Sequence, residues 1–214
     1  MASKEVNIKR MGEILRRLEC AYPDAECSLF YKTPFQLLIA TILSAQCTDE
    51  RVNKVTPSLF AKWSTPLDFA KAKRADIEKV IQSTGFFRSK AQSIQEASQA
   101  LVVNHNGKVP EDLEELVKLR GVGRKTANVV RGVAFKIPSL VVDTHVGRIS
   151  RRMGFTRSTD PVKVEHEMAD IVPREKWSEY AHLLIQHGRA ICTARKALCE
   201  ECTIASLCPK VGWG

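Results

Sequence analysis

The chain has 214 residues, 44% apolar and 27% charged, enough for a hydrophobic core in one large or two small domains. Lys plus Arg number 33 against 24 Asp plus Glu, and the resulting net charge of +9 suits an anionic partner such as nucleic acid. No apolar run approaches the roughly 20 residues that span a bilayer, and Met1-Ala2-Ser3-Lys4-Glu5 carries no signal-peptide core. No helical membrane anchor is expected, and a reducing, cytoplasmic setting without structural disulfides is expected with it.

Taken in order, the elements are helical almost throughout. Thr33-Pro34 pairs an N-cap residue with proline at the first helical position and opens an apolar helix, Phe35 to Ala45. Thr65-Pro66 and Asp160-Pro161 repeat the signal further on. Ile94, Ala97 and Leu101 recur at helical spacing, as do Leu113, Leu116 and Val117, and both stripes read as core faces. Leu113 to Leu119 reads as one helix and Arg124 to Ala134 as the next. Lys136-Ile137-Pro138-Ser139 breaks the helical pattern and is the expected domain boundary. Leu140-Val141-Val142 is the best strand candidate, but it is short and runs into a helix from His145 to Met153. The expected fold class is all-α.

Between the two helices at Leu113–Ala134 only Arg120 and the turn Gly121, Val122 and Gly123 remain. Glycines there permit a positive φ or a close backbone approach. The second helix, opening with Arg124-Lys125, would present its first N–H groups and its positive dipole end to a phosphate, without reading base sequence. Val122 would pack inward. The same residues also fit a plain αα-hairpin with a glycine C-cap. Lys125 is a candidate nucleophile, because an amine that attacks a sugar carbon makes a Schiff base, which no hydroxyl can do, and it equally suits a lysine that simply pairs with a phosphate. Asp143, in Val142-Asp143-Thr144-His145, would accept a proton or stabilise developing positive charge. It equally suits an N-cap, and one carboxylate can serve both roles.

Seven cysteines are present. Cys20, Cys27 and Cys47 read as buried apolar side chains. Cys192-x6-Cys199-x2-Cys202-x5-Cys208 supplies four thiolates in one short segment, suited to zinc or to a [4Fe–4S] cluster. Structural zinc sites commonly use two close pairs, and here there is one. Arg195 and Lys196 lie in the first gap, where the folded loop would offer cations to a DNA backbone.

The hairpin resembles the helix-hairpin-helix motif of DNA glycosylases, and the longer resemblance is to the endonuclease III family. It rests on Leu43-Ser44-Ala45-Gln46-Cys47-Thr48-Asp49, Gly85-Phe86-Phe87-Arg88-Ser89-Lys90-Ala91, Gly121 to Val130, Val142-Asp143-Thr144-His145-Val146, and His187-Gly188-Arg189 leading into the cysteines. These occur in the family's order and cover nearly the whole chain. Two departures stand out. Arg120 occupies a position where the family usually has proline, and Phe87 and Arg88 stand where it often has tyrosine and asparagine.

The resemblance implies a helix-hairpin-helix glycosylase fold of two helical domains with a cleft between them. One is a bundle over 26–137 ending in the hairpin. The other combines 1–25 with 138–214 and carries the iron–sulfur loop at 192–208. It implies a monomer that excises oxidised pyrimidines from duplex DNA and cuts abasic sites by β-elimination, in the cytoplasm and, in a bacterium, on the nucleoid. Lys125 and Asp143 would then be catalytic and Gln46 would fill the gap left by an extruded base. Phe86 is a candidate wedge into the opposite strand or a core residue. Gly121, Val122, Gly123 and Arg124 would hold a phosphate, and Cys192, Cys199, Cys202 and Cys208 would ligate the [4Fe–4S] cluster. Lys90, Arg148 and Arg189 are cations for phosphates or for structure. A glycosylase without lyase activity and a non-catalytic DNA-binding module are the alternatives. Adenine-specific relatives use a glutamate in an earlier helix, which the Leu-Ser-Ala-Gln stretch lacks.

Overall fold

In the computed structural model, residues 3–212 are described; Met1, Ala2, Trp213 and Gly214, which the second expected domain includes, lie outside them. The described residues form α-helices joined by short 3-10 turns and loops, with no strand and one isolated bridge between Cys192 and Ala197. No described helix is long and apolar enough to cross a membrane. The chain divides into two compact units, one running from Ser28 to Ile137, the other made of the residues up to Cys27 and those from Pro138 onward.

The Ser28–Ile137 unit is built around α2 (Pro34–Leu43). Its sequence, PFQLLIATIL, is apolar on every side, and all but two of its residues are buried, as befits a central helix. Thr33 caps it by accepting from the Gln36 N–H, and Pro34 fills the first position, where no N–H is needed. α3 (Asp49–Lys62), α6 (Phe87–Asn104) and α8 (Arg124–Ala134) pack on it, while α4 (Pro66–Lys71) and α5 (Arg74–Ile81) lie on α6, and α7 (Leu113–Lys118) on α8. Thr65 and Asp68 close a reciprocal capping box at the start of α4. Ile94, Ala97 and Leu101 are fully buried on α6. On α7 only Leu116 is buried, while Val117 is 41% exposed. A six-residue helix covers its neighbour with one face, and the next residue along is turned about 100° away.

The other unit holds α1 (Lys4–Ala21), α9 (Thr144–Arg152), α10 (Pro161–Ala169) and α11 (Trp177–Ala190), followed by the cysteine loop. Met11, Ile14, Leu15 and Leu18 form the buried stripe of α1. Asp160 caps α10 by accepting from the Val162 and Lys163 N–H groups, with Pro161 at the first position. Buried Tyr180 on α11 meets Ser150 on α9 at 2.8 Å, so the one polar atom of that ring has a partner. Leu140-Val141-Val142 is not a strand; Leu140 and Val141 are buried in a non-helical stretch leading to α9.

Candidate nucleic-acid interface and cysteine centre

Leu119 to Gly123 form the hairpin between α7 and α8. Gly121 has φ +77° and lies against α6, where Ser93 leaves no room for a Cβ. Val122 is 5% exposed and donates its N–H to the Leu119 carbonyl at 3.0 Å, fastening the turn to the core. Gly123 is the N-cap of α8, with φ −87° and no side-chain cap on the helix. Nothing lies within 4 Å of the place where its Cβ would stand. The fold itself does not require glycine there, so the bare backbone leaves space for a group outside the chain. Arg124 and Lys125 begin α8 and are exposed.

Asp143 belongs to the other unit, where it is the N-cap of α9 and accepts from the Val146 N–H at 2.8 Å. The cap half-buries the carboxylate and fixes its direction. His145 follows it in the first turn, next to the Arg148 guanidinium at 3.2 Å. Burial pulls the His145 imidazole below its ordinary pKa, partly opposed by the Asp143 charge.

Gln46 and Phe86 are both exposed and both hold the left-handed conformation that glycine usually occupies, at φ 52° and 48°. Phe86 is 67% exposed, so it is not a core residue. The helix expected to reach Ala45 ends at Leu43, and Gln46 sits beyond it in a turn closed by Cys47 donating to the Ser44 carbonyl.

Cys192, Cys199, Cys202 and Cys208 line a single pocket, together with Ile149, Met153, Ile191, Leu198 and Ile204. Among the described residues no three ligating side chains gather closely enough for one metal ion. Thiols spread around one apolar chamber fit a polynuclear cluster better than a single zinc. Burial pushes the Cys202 and Cys208 thiols up, and their fellow cysteines push the same way. Four thiolates together therefore need a strong cationic centre, which a cluster's iron would supply. Arginines already surround the loop. Arg152 donates to Cys192 Sγ at 3.2 Å and to the Thr193 carbonyl at 2.7 Å. Arg10 donates to the Met153 and Leu207 carbonyls at 2.8 and 3.0 Å, and Arg17 to Ser206 Oγ at 2.9 Å. Arg195 and Lys196 are exposed at the tip of a turn that Thr193 closes by accepting from the Lys196 N–H.

Residues 39–174 match the HhH-GPD superfamily of base excision DNA repair proteins. Endonuclease III of Synechocystis sp. is 52% identical over 98% of this chain and 94% of its own length. Endonuclease III of Bacillus subtilis is 45% identical over 95% of this chain and 93% of its own. The structure of a trapped endonuclease III–DNA covalent intermediate superimposes with a TM-score of 0.91 at 44% identity, covering 98% of this chain and 97% of that one. The chain belongs to the endonuclease III family.

Against that family's pattern, Arg120 does not extend the hairpin's positive surface freely. Its guanidinium lies 3.2 Å from Glu96 on α6, so it ties the hairpin to the helix behind it. Other side chains had no sequence signature, or a misleading one. Lys90 is buried, with its ammonium on two backbone carbonyls. Arg148 holds the Gly188 and Cys192 carbonyls, and so is structural. Arg152 continues the Val146, Ile149 stripe of α9; an arginine in a core register was the available clue that a set of buried acceptors awaited it. Cys20 is exposed, and Cys27 and Cys47 are half-buried rather than buried. Cys20 lies off the buried stripe of α1, and the other two follow helix ends in loops.

Proposed function

We propose that this chain removes oxidised pyrimidines from duplex DNA and then cuts the strand, with Lys125 as the nucleophile and Asp143 as its acid–base and electrostatic partner. Base-excision repair by a DNA glycosylase with abasic-site lyase activity is the family's work and this chain's, and duplex DNA carrying damaged bases is its substrate. The observation that carries the residue assignment is the exposed Lys125 at the uncapped start of α8, directly after the glycine turn.

The unprotonated amine of Lys125 attacks C1′ of the damaged nucleotide. The C1′–N bond breaks, and the base leaves with its electron pair and takes up a proton. The sugar ring opens to an iminium on C1′. That cation acidifies the C2′ proton; its removal drives out the 3′ phosphate as the C3′–O bond breaks. Asp143 takes the proton that Lys125 sheds and opposes the positive charge that grows on the sugar as the base departs. The N–H groups of Gly123, Arg124 and Lys125 hold a phosphate of the damaged strand, with Val122 anchoring the turn. Extruding the base costs a few kcal/mol; Gln46 fills the vacated stack and Phe86 wedges into the opposite strand. The relatives argue against the two alternatives, a glycosylase without lyase activity and a non-catalytic clamp.

Cys192, Cys199, Cys202 and Cys208 would hold a [4Fe–4S] cluster, whose iron–thiolate bonds cross-link a loop with little core of its own. Arg195 and Lys196 on that loop then meet the DNA backbone. We place the enzyme in the cytoplasm, acting as a monomer on the nucleoid if bacterial. Borohydride trapping on abasic duplex tests the reading: a covalent adduct that disappears in Lys125→Ala supports it, and no adduct with the unaltered chain overturns it.

A further inference from the structure

We propose that Lys90 is a positioning residue that locks the Gln46 loop to the Phe86 loop, so that the two side chains enter the duplex as one rigid pair. This rests on the reading of Gln46 as the group that fills the opened stack and of Phe86 as the wedge into the opposite strand.

Lys90 stands in the first turn of α6 and is 5% exposed. Its ammonium donates to the Leu43 carbonyl at 2.8 Å and the Thr84 carbonyl at 2.7 Å. Leu43 is the last residue of α2, and the turn carrying Gln46 follows at once. Thr84 ends the 3-10 turn that leads through Gly85 to Phe86. The backbone N–H of Lys90 also holds the Phe86 carbonyl at 3.0 Å. One residue therefore grips both loops, the second at two points.

The chemistry of the contact argues for geometry rather than for packing. A leucine or methionine would fill this volume without the cost of burying an ammonium, and burial does disfavour the charged form of Lys90. What the ammonium adds is two charge-assisted hydrogen bonds to carbonyls from separate segments. Leu43's carbonyl belongs to a helix C-terminus, which lacks intrahelical partners and attracts a cation. Gln46 and Phe86 are non-glycine residues in the left-handed region, a conformation that persists only where the surroundings over-determine it. Fixed loops spare the enzyme the ordering of two exposed side chains at the moment the base leaves the stack.

The test is a mutant cycle on the full chain with its cluster, read as the single-turnover rate of excision from a duplex containing one oxidised thymine. Lys90→Met should slow excision about 10- to 100-fold. In a Gln46→Ala/Phe86→Ala background the same substitution should change the rate less than about twofold, since the pair it positions is gone. An equal loss in both backgrounds would mean Lys90 only supports the fold, and the proposal fails. An unaltered rate in Lys90→Met beside a slow Gln46→Ala/Phe86→Ala enzyme also overturns it, while leaving the reading of Gln46 and Phe86 standing. A Gln46→Ala/Phe86→Ala enzyme at full rate sinks that reading, and the proposal with it. Should Lys90→Met not fold, Lys90→Gln, which keeps a donor for one carbonyl, takes its place in the same cycle with the same outcomes.

Discussion

Gly121 stands where Ser93 leaves no space for a side chain: a Cβ built on Gly121 would lie 2.7 Å from Ser93 Cβ and 2.8 Å from its Oγ. The same glycine has φ +77°, so it meets a steric and a conformational demand at once. Gly121→Ala should cost roughly 2–4 kcal/mol, the sum of the left-handed penalty and of overpacking. Ser93→Gly added to it should recover only the packing part. Ser93→Ala should recover almost nothing, since the Cβ itself is in the way. Urea unfolding of the three variants checks this, and a full rescue by Ser93→Ala would contradict it.

Asp143 both caps α9 and, as the proposed partner of Lys125, works on the sugar; two substitutions pull these roles apart. Asparagine caps nearly as well as aspartate, whereas alanine at an N-cap costs about 1 kcal/mol. Asp143→Asn should therefore unfold at nearly the native temperature, yet excise at a rate lower by about a hundredfold or more. Asp143→Ala should lose both stability and rate. If Asp143→Asn excises normally, the carboxylate is a cap and nothing else.

The helix starts were plain in the sequence, because Thr33-Pro34, Thr65-Pro66 and Asp160-Pro161 are local devices whose physics involves only neighbouring residues. The glycine hairpin was legible for the same reason: α8 runs from Arg124 to Ala134 as its sequence predicts. Cys192 to Cys208 could be read as one ligand set from spacing alone, and the four thiols do line one cavity. What stayed hidden depends on partners distant in sequence. Whether Lys90 served a phosphate or the structure could not be sorted until Leu43 and Thr84 brought their carbonyls to it. Arg120 stood out only as a departure from the family's proline, and its tie to Glu96 on α6 had no sequence signal. Val117 read as core because periodicity carries no information about how wide a face the neighbouring helices cover.

His145 should stay neutral at pH 7. Burial holds its pKa below 6.5, the Arg148 charge adds to that, and the Asp143 charge partly offsets both. A depressed histidine pKa means that, as pH falls below 6.5, the unfolded chain takes up a proton that the folded chain refuses. This histidine therefore contributes a loss of stability that begins near its unfolded pKa and continues down to its folded one. Asp143→Asn removes the charge that raises the pKa, so the titration should move lower still. Nitrogen-resolved NMR of the imidazole reads both values, and an upward shift in Asp143→Asn would refute the assignment.

The cysteine loop should carry iron and sulfide in equal amounts, with visible thiolate-to-iron absorption and no zinc. Cys199→Ser should lose iron and absorption while retaining most helical circular dichroism, since α9 and α11 have cores apart from the loop. Zinc in the purified chain would overturn this assignment without touching that of Lys125.

Arg195 and Lys196 are held outward by the Thr193 turn, and their role is testable through salt. The slope of log affinity against log salt falls by about 0.9 for every duplex phosphate that the protein no longer neutralises. Arg195→Ala/Lys196→Ala should therefore lower that slope by about 2 on both damaged and undamaged duplexes, because phosphates are the same in each. The rate of the chemical step on bound substrate should be unchanged, since neither residue has a part in the proposed chemistry. An intact slope would show that the exposed tip faces solvent in the complex, and would remove the loop from the DNA-binding surface whatever metal it holds.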